Sequence, residues 1–473
     1  MERRITKLLR NTLSNMGLKL GTLTLGFLLV PVLLRTVGDE GFGLLTLTGT
    51  ILGYFALLGG GVPAGTVKYV AEHEARHDWK GLREVLDNSF AFFACVGCFA
   101  AISLTMFVLL DGLRVFRISE ANEEVARTLL LWAAVFSIFQ WPTNVFASAL
   151  EGLQEYHRKN RIVLYTHAVS LLFALLTALV TQDLLLIFFA QQAPIILQRL
   201  LLFRAVRSFL PGWIPNPLAL KADILKKILG LSVWMFVMQI ATMLFYATDE
   251  VIISAMLSVS LIAIYKVTIR PFGLVRELLG MFNSAVMPAM SAFASEENTA
   301  ARHHFIYTGA RYSNLFIAPL ALGAAIFCGP FIRLWVGEAY MEHVWIAQGA
   351  CFFQLIWQSN GFLGPVFFGS GKAFRLAMIA IFSAVVNLVL GIWWARTMGV
   401  PGVILATIAA GGGGVVVQYL WLLPELQLER WRYLKESVLA GQLPCLVIGM
   451  LLLPFWSYFQ DLDSWHSLLG HGL

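Results

Sequence analysis

At 473 residues the chain is long enough for two or three soluble domains, but 58% of it is hydrophobic and only 13% charged, where soluble domains carry about 25% charged residues. Its mean hydropathy is +0.74, and apolar runs able to cross about 30 Å of hydrocarbon recur along its length; together these exclude a soluble enzyme. The formal net charge of +6 arises from Lys and Arg residues in short clusters between those runs. That placement orients membrane helices and makes no basic face for nucleic acid.

In chain order, residues 1–10 carry Arg3, Arg4, Lys7 and Arg10 ahead of an apolar stretch reaching Leu34. This stretch is too long for a signal-peptide core and lacks an A-x-A cleavage pattern, so it is expected to be retained as the first span. Further spans are expected near 43–66, 88–110, 128–149, 162–181 and 184–203, after a first at 12–34. The second half repeats the pattern near 228–256, 261–290, 311–334, 344–368, 375–396 and 402–424, and another apolar run follows near 437–457. The expected fold is all-α, a polytopic membrane helix bundle of two six-helix lobes around a central cavity, plus an additional C-terminal apolar helix. Its parts are a lobe at 1–203, a cytoplasmic linker at 204–227 containing Pro211, Pro215 and Pro217, a lobe at 228–424, and the extra helix and tail at 425–473. An offset of about 220 residues superposes Gly43-Leu44-Leu45 on Ala263-Ile264-Tyr265 and brings Gly152 opposite Gly371, as expected for two parallel repeats.

Polar side chains inside spans are costly and normally face a bundle interior or a wet cavity. On the first span, Asn11, Asn15, Lys19, Thr22 and Gly26 share one face at 100° per residue. Lys19, about two turns in, is also within reach of cytoplasmic headgroups. On the seventh, Gln239, Thr242, Tyr246, Asp249 and Glu250 form a comparable stripe, and the 220-residue offset matches Gln239 to Lys19. The eighth carries Lys266, Arg270, Gly273, Glu277 and Ser284 on one face, with Pro271 removing a backbone donor beside Arg270. Arg276 lies off that stripe. The bland alternative is an internal ion pair of Arg270 or Lys266 with Glu277 or Asp249.

Other features carry less. Cys95 and Cys98 spell C-x-x-C, but inside the apolar run 90–110, so all five cysteines read as packing groups. Gly411 to Gly414, Gly59 to Gly61, Gly17/Gly21 and Gly49/Gly53 read as sites of close helix approach. Gly369-Ser370-Gly371-Lys372 lacks the remainder of a P-loop, with Val366 and Ala373 at the positions that pattern needs. His303/His304 and the Glu338, Glu342, His343 group read as loop polarity, and no metal or cofactor is expected.

The segments Leu34-Arg35-Thr36-Val37-Gly38-Asp39-Glu40-Gly41-Phe42-Gly43, Tyr54-Phe55-Ala56-Leu57-Leu58-Gly59-Gly60-Gly61, Leu150-Glu151-Gly152-Leu153-Gln154 and Met398-Gly399-Val400-Pro401-Gly402 resemble the polysaccharide transporter, or O-antigen flippase, branch of the multidrug/oligosaccharidyl-lipid/polysaccharide exporter superfamily. The resemblance implies two six-helix lobes enclosing a cavity, and passage of an undecaprenyl-pyrophosphate-linked oligosaccharide from the cytoplasmic to the periplasmic leaflet of a bacterial inner membrane. It also implies a place in lipopolysaccharide and O-antigen assembly, with membrane lipids and other polysaccharide-assembly membrane proteins as partners and no nucleic acid. The thirteenth run departs from the family, whose members commonly have twelve or fourteen spans.

Such a substrate needs cations for its pyrophosphate and aromatic or amide groups for its sugars. Lys19, Lys266 and Arg270 are the candidate cations; Asn15, Gln239, Tyr246 and Trp234 are the candidate sugar contacts. Asp249 and Glu277 are the candidates for coupling to an ion gradient. An ion-coupled drug antiporter of the same superfamily is the alternative, which cationic cavity residues disfavour for cationic drugs. A membrane enzyme such as an O-antigen polymerase would be expected to carry a long periplasmic loop, and the connections here are short.

Orientation follows from charge. Of the 34 Lys and Arg residues, 24 fall in segments that share a face with the N-terminus, against only Arg35, Arg114, Arg117, Arg127, Arg333 and Arg396 on the other. The N-terminus and the 204–227 segment are therefore expected to be cytoplasmic. Cysteines introduced near Asn216 should resist an impermeant thiol reagent applied from the periplasm; labelling there would reverse the topology.

Overall fold

Hydrocarbon offers a backbone no hydrogen-bond partners, so a chain this apolar must satisfy its amides within helices or a closed barrel. The computed structural model describes residues 2–230, 233–283, 299–369, 373–465 and 467. Among them the regular structure is helical throughout, with no strand. The first half contains α1 (Glu2–Phe55), α2 (Val62–Ala75), α3 (Trp79–Leu109), α4 (Glu120–Gln140), α5 (Asn144–Gly152), α6 (Tyr156–Val180), α7 (Leu184–Arg207) and α8 (Ala222–Gly230). The second contains α9 (Val233–Met256), α10 (Leu261–Asn283), α11 (Thr299–Val336), α12 (Val344–Trp357), α13 (Leu363–Gly369), α14 (Ala373–Met398) and α15 (Val400–Glu425). A last run, α16 (Arg430–Gln460), includes a π-helical stretch at Leu434–Leu439.

Ten of the described helices are long and apolar enough to cross a membrane, fewer than the apolar runs in the sequence, for three physical reasons. The first two expected spans are continuous in α1, where the break is confined to Gly38 at φ 71°, a left-handed conformation that a Cβ would strain. The eighth, α10, carries Lys266, Arg270, Arg276 and Glu277 within one helix, too many charges for an apolar span. The tenth is divided between α12 and α13 by a 3₁₀ turn at Gln358–Asn360.

The chain forms two compact units, Met1–Phe236 with Ser258–Ser260, and Val237–Leu257 with Leu261–Leu473. In the first, α6 packs against α1 and α7, α3 against α4, and α2 against α5. Its core joins Leu86, Phe93, Leu150 and Leu202 with Leu210 and Trp213. The proline-bearing stretch after α7 is pinned to this unit: Trp213 Nε1 donates to Asp87 Oδ1 at 2.9 Å and Arg83 Nη2 to the Pro211 carbonyl at 3.1 Å.

In the second unit α14 lies along α15, and α11 packs against α10, α12 and α16. Tyr307, Phe362, Phe367 and Tyr433 centre its core. That core corrects the reading of His303 and His304 as loop residues. Both lie in α11, which runs more than a turn beyond its apolar stretch because Ile306, Tyr307 and Ala310 are buried there, and His303 Nε2 meets the Leu426 carbonyl at 3.0 Å. The cysteines also divide: Cys328 and Cys351 are buried, Cys445 is half-buried, and Cys95 and Cys98 are exposed on α3. Ser370 to Lys372 lie outside the described residues.

Candidate functional site

Helices α9 and α10 are joined by a short turn at 257–260, so the polar stripes that the sequence places on each come together within one unit. Tyr246, Glu250, Tyr265, Lys266, Arg270, Arg276 and Glu277 line a cavity of about 330 Å³. Lys266 Nζ forms an ion pair with Glu250 Oε1. The Glu250 side chain keeps only 4% of its surface exposed and that of Lys266 36%, so the carboxylate is the desolvated partner.

Arg270 and Glu277 are less committed to each other. They stand seven residues apart on α10, about 10 Å along the axis, and reach one another only at 4.0 Å, each 26% exposed. Arg270 Nε is buried with no hydrogen-bond partner. Arg276, off the stripe by helical periodicity, nevertheless enters the cavity by stacking its guanidinium 3.8 Å from the centroid of the Tyr246 ring, a cation–π contact that a partly desolvated site strengthens.

Behind this cavity lies a second polar cluster drawn from four helices. Asp249 is fully buried, and its Oδ2 accepts from Tyr265 Oη and Thr407 Oγ1, both at 2.8 Å. Its Oδ1 accepts from Asn387 Nδ2 at 3.4 Å, while that same amide donates to the Phe245 carbonyl at 2.8 Å. A buried carboxylate is tolerable only with such donors. Tyr265 belongs to both clusters, since it lines the cavity while its hydroxyl binds Asp249. Trp357 closes the neighbouring space against Phe245 at a ring separation of 5.2 Å, and it lies so close to Gly411 that a Cβ there would collide with the indole.

Of the residues singled out from the sequence, Lys266, Arg270, Glu277 and Tyr246 share the cavity. The alternative pairing of Asp249 with Arg270 or Lys266 is not seen: Asp249 accepts hydrogen bonds from neutral groups, and Lys266 takes Glu250. Gln239 is exposed on α9, with Thr242 nearby in a second cavity of about 230 Å³. Asn15 belongs to the other unit, where its Oδ1 accepts from Asn160 Nδ2 at 2.5 Å. Lys19 is exposed on α1, and Thr22 is turned back onto the Leu18 carbonyl at 3.0 Å. The side chains of Trp234 and Asn11 lie outside the described residues, as does Ser284. The sequence reading missed Tyr265, Arg276, Asn387 and Thr407; for Asn387 and Thr407 the available signal was a polar residue within an apolar run.

Residues 8–294 match the polysaccharide biosynthesis protein family. The fold is similar to that of an inward-facing multidrug resistance MATE family transporter of the MOP superfamily, at 17% identity and a TM-score of 0.65, covering 86% of this chain and 94% of that one. It is also similar to the lipid II flippase MurJ in an inward closed conformation, at 17% identity and a TM-score of 0.66, covering 98% and 96%. A MOP superfamily transporter from Pyrococcus furiosus aligns at 16% identity and a TM-score of 0.61, covering 89% and 95%. At these identities the likeness is one of fold. No curated protein sequence matches the chain.

Because Glu250 is the desolvated member of its pair, Lys266→Met should destabilise the protein by about 3 kcal/mol, the low end for a broken buried pair given the exposure of Lys266. The double change Lys266→Met with Glu250→Gln should recover most of that loss. Thermal unfolding of the purified protein in detergent measures both.

Proposed function

We propose a lipid-flipping function for this chain, which belongs to the polysaccharide biosynthesis protein family. In this reading it moves an undecaprenyl-pyrophosphate-linked oligosaccharide from the cytoplasmic to the periplasmic leaflet of a bacterial inner membrane by alternating access, supplying O-antigen or a related surface polysaccharide. Its N-terminus and the 204–227 segment are cytoplasmic, and its lobes are 1–203 and 228–424. The observation that carries the reading is the α9–α10 cavity, where three cations and two carboxylates leave a net positive charge. A pyrophosphate cannot enter hydrocarbon unaided, and fixed guanidinium groups in a low-dielectric site replace its lost hydration.

Arg270 is the principal pyrophosphate contact, because it reaches Glu277 only at 4.0 Å, its Nε has no hydrogen-bond partner and its planar fork suits phosphate oxygens. Lys266 and, in the first unit, Lys19 are the further candidate cations. Tyr246, Gln239, Asn15 and Trp234 supply sugar contacts. Lipid-linked oligosaccharide and membrane lipids are the partners, together with other polysaccharide-assembly membrane proteins.

Arg270→Ala should lower flipping of a fluorescent lipid-linked oligosaccharide in vesicles about tenfold or more, the scale of one charge-assisted contact, and Arg270→Lys should restore part of it. If Arg270 merely neutralises Glu277, the double change Arg270→Ala with Glu277→Ala will regain transport. Regained transport overturns the assignment.

A second reading, an ion-coupled small-molecule antiporter, draws on the Asp249 cluster, since a carboxylate held by donors from three other helices is suited to exchanging an ion as those helices shift. Ethidium uptake by the same vesicles separates this substrate class from the first. In either case Asp249, with Glu277 as the other candidate, is the coupling group. Asp249→Asn should remove the dependence of transport on an imposed ion gradient, and a variant that keeps the full gradient dependence excludes Asp249.

A further inference from the structure

Helix α7 carries a cation that the flipping reading does not use. Arg199 stands eight residues before Arg207, the last residue of α7, about 12 Å along the axis, within a segment apolar and long enough to cross a membrane. Its Nε is buried with no hydrogen-bond partner, and among the described residues no carboxylate pairs with it. The same unit does supply a carboxylate elsewhere: Lys159 Nζ meets Glu151 Oε1 at 2.6 Å. An unpaired cation at this depth is held where a counter-charge from outside the chain can reach it.

The surroundings indicate what brings that charge. Arg199 lines a groove of about 440 Å³ whose other walls include Phe90, Phe136, Phe139, Ile195 and Ile196. The groove exists because the helical path is interrupted between Gln140, which ends α4, and Asn144, which begins α5. Pro142 in that gap has no amide hydrogen to donate to the carbonyl one turn back, and Thr143 Oγ1 donates to the Gln140 carbonyl at 2.9 Å. Pro142 and Thr143 line the groove together with Gln192, Ile195 and Arg199 of α7. Phe139 is 65% exposed, so the groove opens outward to lipid and is not enclosed by protein.

We infer that this groove seats one acyl chain of a membrane phospholipid whose anionic head is bound by Arg199. The hydrocarbon walls match the chain, and the guanidinium fork matches the phosphate oxygens. Its volume suits one acyl chain and is far too small for a polyprenyl tail. A zwitterionic head carries its own cation, so the unpaired guanidinium selects a net anionic one. The inference stands apart from the flipping reading, since it concerns residues of the first unit alone and needs no transport.

The test is native mass spectrometry of the purified full-length protein with equimolar phosphatidylglycerol and phosphatidylcholine. The wild type is expected to retain phosphatidylglycerol preferentially. Arg199→Gln should lower that preference about tenfold, and Arg199→Lys should lower it less. Arg204→Gln, removing an exposed cation about one turn further along α7, should leave it unchanged. Ile196→Trp fills the groove with Arg199 intact and should also reduce retention, which keeps the inference testable if Arg199→Gln does not fold. Wild-type preference in Arg199→Gln or in Ile196→Trp would overturn the site, as would an equal loss in Arg204→Gln, which would show only a general attraction of basic residues for anionic lipid.

Discussion

The carboxylate of Asp249 sits fully buried in a segment apolar enough to cross a bilayer, and the second unit is arranged around satisfying it. Tyr265 comes from α10, Asn387 from α14 and Thr407 from α15, so one anion ties three helices to α9. Dispersion alone sets the registry of apolar helices weakly in lipid, because the tails are as apolar as the side chains. A hydrogen-bonded cluster sets it tightly, since rotating any one helix would leave a polar group without a partner.

The same constraint accounts for α10. Three cations in one helix would cost on the order of 10 kcal/mol if that helix faced them to hydrocarbon, taking insertion values of roughly 2.5–3.5 kcal/mol each. Each of the three is turned into the cavity with α9: Lys266 against Glu250, Arg270 toward Glu277, Arg276 onto Tyr246. The contacts differ in strength, and that difference separates structure from function. The Lys266–Glu250 pair neutralises a buried carboxylate, whereas Arg270 keeps a buried Nε without a partner and has binding capacity to spare. Charge placed where it is expensive and then left incompletely satisfied is what a site for an anionic ligand requires.

Arg199 in the first unit follows the same logic, with a membrane lipid as the ligand we infer for it. Helical structure is interrupted at Pro142, between α4 and α5 beside the Arg199 groove, and by the 3₁₀ turn after Trp357, whereas α10 stays helical through Pro271.

The sequence by itself determined the all-α membrane class, the approximate positions of the spans and the charged face of α10, because hydropathy over about 20 residues and a 3.6-residue period are local properties. Lys266, Arg270, Glu277 and Tyr246 were legible as a group for that reason. The tertiary structure alone decided which charges meet: Lys266 takes Glu250 and not Asp249, Arg276 reaches the cavity from an unfavourable angle by stacking on Tyr246, and Asn387 and Thr407 join Asp249 from well over a hundred residues away. Asn15 and Thr22, which share a stripe with Lys19, are occupied by contacts within their own unit. These pairings depend on how far each helix is rotated and shifted against its neighbours, and no pattern within a single helix encodes that rotation.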